Sequence, residues 1–142
     1  MLTFTTMNVV GFCSIENLHI PLNPSCTILI KAPNGKGKST ILSALVWAIY
    51  GKNLKGVSEV TTWEKVRPKD YSGVMVEVYF QKNEHIYKII RCQKCDLVLE
   101  DGAKGKDRLI FLKDNELVNV KGKNKLQDTI NAELGLSYTL FM

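Results

Sequence analysis

Lys38, Ser39 and Thr40 stand directly behind Gly35-Lys36-Gly37, a set of residue types suited to holding a polyphosphate. Such an anion needs several backbone N–H groups aimed into one concavity, and glycine lets the chain curl there because it tolerates positive φ. Gly35 and Gly37 supply that freedom. A helix starting just behind the loop adds unpaired N–H groups and the positive end of its dipole. In that arrangement Lys38 reaches the β- and γ-phosphates, the Ser39 hydroxyl ligates Mg²⁺, and Thr40 donates to the remaining phosphate oxygens.

The full phosphate-loop pattern GxxxxGK[ST] asks for glycine at position 32, where this chain has Ala32, so seven of its eight positions agree. One methyl at the mouth of the loop is tolerated where φ is negative. By chance alone a Gly-Lys-Ser/Thr triplet arises in a chain this long on the order of a few per cent of the time. The flanking elements sharpen the signal. An apolar run, Ile28 to Ile30 within a strand predicted over Thr27 to Lys31, leads into the loop and is apolar on both faces, as a buried central strand should be. A helix predicted from Ser39 to about Tyr50 leads out of it, burying Ile41, Leu42, Leu45, Ala48 and Ile49, with Trp47 at the edge of that face against a neighbouring sheet and Gly51 as its stop.

These elements must be carried by a chain of 142 residues, one domain's worth, with 45% hydrophobic and 23% charged residues. A soluble globular domain is expected. Ile41 to Tyr50 is the longest apolar run, interrupted by Ser43 and too short to cross a bilayer. Met1 to Val10 has no charged start and no cleavage signature, which makes the cytoplasm the expected location. Of the four cysteines, Cys13, Cys26, Cys92 and Cys95, only the last two are close in sequence; one CxxC gives two ligands where structural zinc takes four, so Cys92 and Cys95 read as small apolar residues of a strand. The net charge of +5 suits contact with a polyanion. Its late cluster, Lys104, Lys106, Arg108, Lys113, Lys121, Lys123 and Lys125, reads as solvated hairpin loops ahead of a DNA-facing patch.

In chain order, Leu2 to Val10 is predicted to be a strand, and its apolar residues change phase between Phe4 and Met7, as a bulge at Thr5 or Thr6 would make them. Gly11 is expected to end it. Ile15 to Leu22 alternates, with Pro21 suggesting an edge strand. Residues 52 to 72 are polar and irregular, with Trp63 and Pro68, and read as a long surface connection. Val74, Val76, Val78 and Phe80 then alternate with Met75, Glu77 and Tyr79, and Lys82-Asn83-Glu84 turns the chain into His85 to Arg91, a β-hairpin. Further strands are predicted at Asp96–Glu100, Leu109–Leu112 and Glu116–Val120. Leu126, Ile130 and Leu134 recur at helical spacing before Gly135, and Ser137 could cap a further helix.

Gly11-Phe12-Cys13-Ser14, the loop Ala32 to Thr40, the helix end Trp47-Ala48-Ile49-Tyr50-Gly51, the strand Tyr87-Lys88-Ile89-Ile90-Arg91 and the segment Leu134-Gly135-Leu136-Ser137-Tyr138 together resemble the N-terminal ATPase lobe of an SMC-like, ABC-class protein. More narrowly, the chain is similar to the ATPase subunit of the double-strand-break repair exonuclease complex, including the recombination endonuclease subunit of T-even-like phages. The resemblance implies an α/β fold, a P-loop NTPase of the ABC-ATPase head type whose P-loop strand and helix join an antiparallel β subdomain. It implies ATP and Mg²⁺ as cofactors, bound by Ser14, Asn34, Gly35, Lys36, Gly37, Lys38, Ser39 and Thr40, with Lys38 catalytic and Ser39 on the metal. It also implies a nuclease subunit, DNA and a second copy of the ATPase head as partners, with no membrane.

Two departures bear on the chemistry. Family members often carry a basic residue beside the serine at position 14, where this chain has Cys13. The family's glutamine loop, coiled coil, signature motif and water-activating acidic pair would all follow Met142, so residues 1–142 are expected to be one lobe of a longer chain and not to hydrolyse ATP by themselves. Leu97-Val98-Leu99-Glu100-Asp101 imitates the acidic pair, but in a predicted hairpin and in the order Glu-Asp. A transporter-type ATPase, a small P-loop kinase and a non-catalytic nucleotide-binding module are the competing readings. A transporter ATPase would lack the long hairpin region from 73 to 120, and a kinase would need a lid rich in arginine, where this chain has only Arg67, Arg91 and Arg108.

Overall fold

The computed structural model describes residues 2–12, 15–21, 35–51, 60, 69, 71–99, 102–118 and 123–134. At the centre lies a β-hairpin of two nine-residue strands, β3 (Val74–Lys82) and β4 (His85–Gln93). Val74, Val76, Val78 and Phe80 of β3 are fully buried while the residues between them are half-exposed, the period-2 pattern of a strand with one face on a core. Asn83 and Glu84 turn the hairpin with φ of 51° and 70°. Positive φ at both central residues matches the right-handed twist of the strands, and the asparagine tolerates it well. The hairpin read from the sequence is therefore present, its register pairing Phe80 with Tyr87.

Four more strands extend it into a six-stranded sheet: β1 (Leu2–Phe12), β2 (Ile15–Pro21), β7 (Leu109–Lys113) and β8 (Glu116–Leu117), in the order β2-β1-β3-β4-β7-β8. Every pairing in it is antiparallel. The register of β1 on β3 slips between Phe4 and Thr6, so Thr5 is the bulge that the change of phase required, and its Oγ1 donates to the Tyr79 carbonyl at 3.2 Å. β2 is an edge strand that ends at Pro21, where a missing N–H is harmless. Gly11 does not stop β1; the strand runs on to Phe12, with Gly11 at φ +64° inside it.

A tight corner explains that glycine. A Cβ on Gly11 would lie 2.0 Å from the Gly73 carbonyl oxygen, and one on Gly73, at φ +91°, would lie 2.0 Å from that of Lys94. Three stretches of backbone thus meet where β1 ends, β3 begins and β4 passes into β5 (Cys95–Val98). The Tyr71 hydroxyl donates to the Gly11 carbonyl at 2.9 Å, and the Asp96 N–H to Ser72 at 2.7 Å.

The core lies on one face of the large sheet, under two helices. α1 (Gly35–Tyr50) begins four residues before the predicted Ser39, so Gly35, Lys36, Gly37 and Lys38 belong to the helix and not to the loop before it. Glycine costs a helix most in its interior, and a start at the glycines escapes much of that penalty. Ala44, Val46, Trp47, Ala48 and Ile49 of α1 are buried, and Trp47 sits against Phe12 with ring centroids 5.8 Å apart. The side chains of Ile41 and Leu42 lie outside the described residues, as do the predicted strand Thr27–Lys31 and the segment after α2 (Lys123–Leu134). Leu126 and Ile130 of α2 are buried against Ile49, Phe80, Tyr87, Ile89 and Phe111. Val60 corrects the picture of 52–72 as a surface connection: its side chain is fully buried and its N–H donates to Gln93 Oε1 at 2.8 Å. Most of that stretch, including Trp63 and Pro68, lies outside the described residues.

On the other face, β5 pairs with β6 (Lys104–Lys106) as a second, two-stranded sheet. β6 was not expected, because Lys-Gly-Lys shows no apolar alternation; its two lysines are exposed on a strand and not in a loop. Gly105 is buried against the CxxC, where a Cβ would stand 2.9 Å from Cys92 Sγ and 3.0 Å from Cys95 Sγ. Both thiols are free and buried with Ile90, Met75 and Leu97. Burial, with Cys95 as the next cause, pushes the Cys92 thiol up to about 12, the behaviour of packed and not of reactive cysteine. No group of metal-ligating side chains occurs among the described residues. Nor is any described helix long and apolar enough to cross a membrane. Glu100, Asp101, Asn119 and Val120 lie outside the described residues, and the strands there are Cys95–Val98 and Glu116–Leu117.

The C-terminal end of α2 is tied to the central hairpin. Lys82 Nζ donates to the Glu133 carbonyl at 2.5 Å, a cation on the negative end of the helix dipole. The Tyr87 hydroxyl donates to Glu133 Oε2 at 2.8 Å, and its ring is stacked between Phe80 and Phe111 at 4.9 and 5.7 Å. Burial first, then the bond to Glu133, pushes the Tyr87 hydroxyl up to about 12.

Two predictions follow from this packing. Gly73→Ala is expected to cost more than about 3 kcal/mol in urea unfolding, because backbone must move to admit the methyl. Gly102→Ala, at a similar φ of +82° but with nothing within 4 Å of the added carbon, should lose only about 1 kcal/mol. Equal losses would refute the packed corner. For Tyr87 the folded state holds its proton more tightly than the unfolded chain does, so its contribution is complete below the ordinary pKa of 10.0 and fades as pH rises through about 12. Tyr87→Phe should lower stability at pH 8 by about 1 kcal/mol, the usual worth of one hydrogen bond. The variant should also lose less stability than the unaltered chain between pH 10 and 12.

Candidate nucleotide-binding site

The first turn of α1 is where the sequence motif meets the fold. Because the helix starts at Gly35, the N–H groups of Gly35, Lys36 and Gly37 precede the first available intrahelical carbonyl and find no acceptor within the helix itself. They sit at the positive end of a 16-residue helix. As helical residues Gly35 and Gly37 adopt negative φ, so their use here differs from the predicted one: they leave the turn without side chains, and an anion can approach the backbone closely. Lys36, Lys38, Ser39 and Thr40 follow within the same two turns. Their side chains, like Ser14 and Asn34 altogether, lie outside the described residues. Ser14 is one of two residues between the paired Phe12 and Ile15. Phe12 touches Trp47, twelve residues after Gly35 and so about 18 Å along the helix, which places the described contacts of that segment on the C-terminal half of α1.

The opposite end of α1 is held by a residue that the sequence reading had not singled out. Arg91 of β4 is only 7% exposed, and its partners are carbonyls and an amide. Its Nε donates to the Ala48 carbonyl at 2.9 Å, one terminal nitrogen donates to the Ile49 carbonyl at 3.3 Å, and the same nitrogen donates to Gln127 Oε1. Gln127 of α2 in turn donates from Nε2 to the Ile49 carbonyl at 2.6 Å and to Asn131 Oδ1 at 3.1 Å. The last carbonyls of a helix have no partner within it, and a cation there is further favoured by the dipole. Gly51 completes the end at φ +80°, its N–H donating to the Trp47 carbonyl at 2.7 Å, and a Cβ on it would come within 3.0 Å of the guanidinium. Burial lowers the Arg91 pKa to about 10, which leaves the group cationic at neutral pH. A signal was available: Tyr87, Ile89 and Arg91 share the inward face of β4, and a charge at a core position demands partners.

A sequence-family model described as an AAA domain matches residues 6–141. No curated protein matches the sequence. Among solved structures, the recombination mediator protein RecF of the RecFOR pathway is similar in two forms. RecF-ATPrS aligns over 88% of this chain and 29% of that one, with a TM-score of 0.55 and 13% identity. RecF-ATP aligns over 86% and 30%, with a TM-score of 0.52 and 15% identity. The chain thus spans less than a third of the length of those RecF chains, and at this identity the likeness is one of fold. A family match over nearly the whole sequence and a fold shared with solved ATPase structures lead to one assignment: the chain belongs to the AAA domain family and has an AAA-type P-loop ATPase fold.

Proposed function

We propose that this chain is the ATP-binding part of a DNA repair or recombination ATPase that controls a partner nuclease at DNA ends. The observation that carries the ATP-binding part is the placement of Gly35 to Thr40 in the opening turns of α1, in a fold shared with a protein whose solved forms are described as RecF-ATP and RecF-ATPrS. The side-chain-free backbone of Gly35 and Gly37 and first-turn N–H groups without an acceptor within the helix fit a triphosphate. In this reading Asn34, Lys36 and Thr40 line the loop with them, Ser14 lies against the nucleotide, Lys38 holds the β- and γ-phosphates, and the Ser39 hydroxyl orients Mg²⁺. Bound Mg·ATP would supply the transferable phosphoryl group and the cation that offsets its charge. This chain's residues would bind and orient it.

The nuclease partner, the DNA and the pairing with a second head rest on the resemblance to the ATPase subunit of the double-strand-break repair exonuclease complex. RecF, a recombination mediator by its description, supports the recombination setting without the nuclease. The antiparallel unit from β3 to β8 favours this reading over a transporter-type ATPase, which would not carry so long a hairpin region there.

Lys38→Ala is the direct test. Titrated with a fluorescent ATP analogue and MgCl₂, the variant should bind at least tenfold more weakly, since hydrogen bonds to a charged group are worth about 1.5–3 kcal/mol each. Its unfolding free energy in urea should stay within about 0.5 kcal/mol of that of the unaltered protein if Lys38 serves the ligand and not the fold. An unchanged affinity would sink the phosphate-site assignment.

A further inference from the structure

We infer that Arg91 and Gln127 act as positioning residues for the nucleotide loop, making α2 respond to what is bound at the far end of α1. This rests on the reading of Gly35 to Thr40 as an ATP site. The geometry is a shared acceptor. The Ile49 carbonyl, near the C-terminus of α1, takes hydrogen bonds from both the Arg91 guanidinium and the Gln127 amide, and the same amide accepts from Arg91 and donates to Asn131 one turn further along α2. A helix moves nearly as a rigid rod over the 16 residues of α1, so a small axial shift or rotation on binding an anion at Gly35 arrives at Ala48 and Ile49 undiminished. There the apolar contacts are tolerant of sliding, whereas hydrogen bonds weaken steeply with distance and angle.

The choice of arginine fits that role. Its fork meets two successive carbonyls and a side-chain amide at once, fixing the helix about its axis as well as along it, which a lysine's single point of charge does not do. Burial keeps water from replacing the Ala48 and Ile49 carbonyls. Gln127 is half-buried and holds the Ile49 carbonyl through its side-chain amide, so its truncation removes the link to α2 and leaves Arg91 its two helix carbonyls.

The experiment compares the full chain with Gln127→Ala, Arg91→Lys and Lys38→Ala, each at a temperature where its circular dichroism is native. Binding of Mg²⁺ and a slowly hydrolysed ATP analogue is titrated, and amide hydrogen exchange is followed by mass spectrometry with and without nucleotide. In the unaltered chain nucleotide should slow exchange in 35–50 and also in 123–134. Gln127→Ala should keep the slowing in 35–50, lose it in 123–134, and bind about tenfold more weakly; Arg91→Lys should do the same more severely. Slowing of 123–134 that persists in Gln127→Ala, or that never occurs in an unaltered chain that does bind nucleotide, overturns the inference and leaves the ATP site standing. Equal binding by Lys38→Ala and the unaltered chain removes the ATP site, and the inference with it.

Discussion

A helix that presents its first-turn N–H groups to an anion gives up the capping that would otherwise satisfy that end, so it depends on what holds its other end and its apolar flank. In the proposed nucleotide-binding role α1 is in this position. Its C-terminal carbonyls are met by a guanidinium brought up from below by β4, and its buried residues, Ala44 to Ile49, lie against side chains of β1, β3 and β4. The cost of burying Arg91 is offset by the Ala48 and Ile49 carbonyls and the Gln127 amide oxygen that accept from it. A carboxylate partner would have neutralised the cation and left the carbonyls wanting. With neutral partners the charge stays available to the helix dipole.

That requirement reaches back through the sheet. Arg91 is delivered inward by the register of the β3–β4 hairpin, which the Asn83-Glu84 turn fixes, and a slip of one residue would turn it to the outer face. The hairpin is in turn held at both ends. Near Gly73 it is locked by backbone packed against backbone, and near Lys82 it is tied to α2 through Glu133. On its far side the outer face of β4 is covered by β5 and β6, with the two cysteines filling the space left by Gly105.

Much of this was legible in the sequence because strict alternation has one reading. Val74 to Phe80 forms the predicted buried strand, the phase change near Thr5 marks a real bulge, Pro21 marks an edge, and Leu126 and Ile130 define the inner face of α2. The failures have physical causes too. Gly11 was read as a break and Gly35 as a loop residue because glycine is permissive, yet at Gly11 a strand continues through a positive φ that close packing demands, and at Gly35 a helix begins. β6 had no apolar pattern to reveal it, since its place is set by partners on β5. Of the site, the motif Gly35 to Thr40 was visible as a string of residue types, whereas Arg91 and Gln127 are 36 residues apart and meet only after folding.

The antiparallel strands are therefore not an appendage to a phosphate-binding loop. Residues of α1 fall into both core clusters, Trp47 and Ala48 with β1 and β3, Ile49 with β4, β7 and α2, and half-buried Leu45 and Phe4 border both. Gly35 to Thr40 are the opening turns of α1 itself, and the described contacts that hold that rod lie at its other end. That rod packs on β1, which precedes it, and on strands that follow it in sequence by 24 residues or more. A change on β3 or β4 that leaves the motif untouched can therefore re-aim the N–H groups, because the angle of α1 is decided at Trp47, Ile49 and Arg91 and only expressed at Gly35.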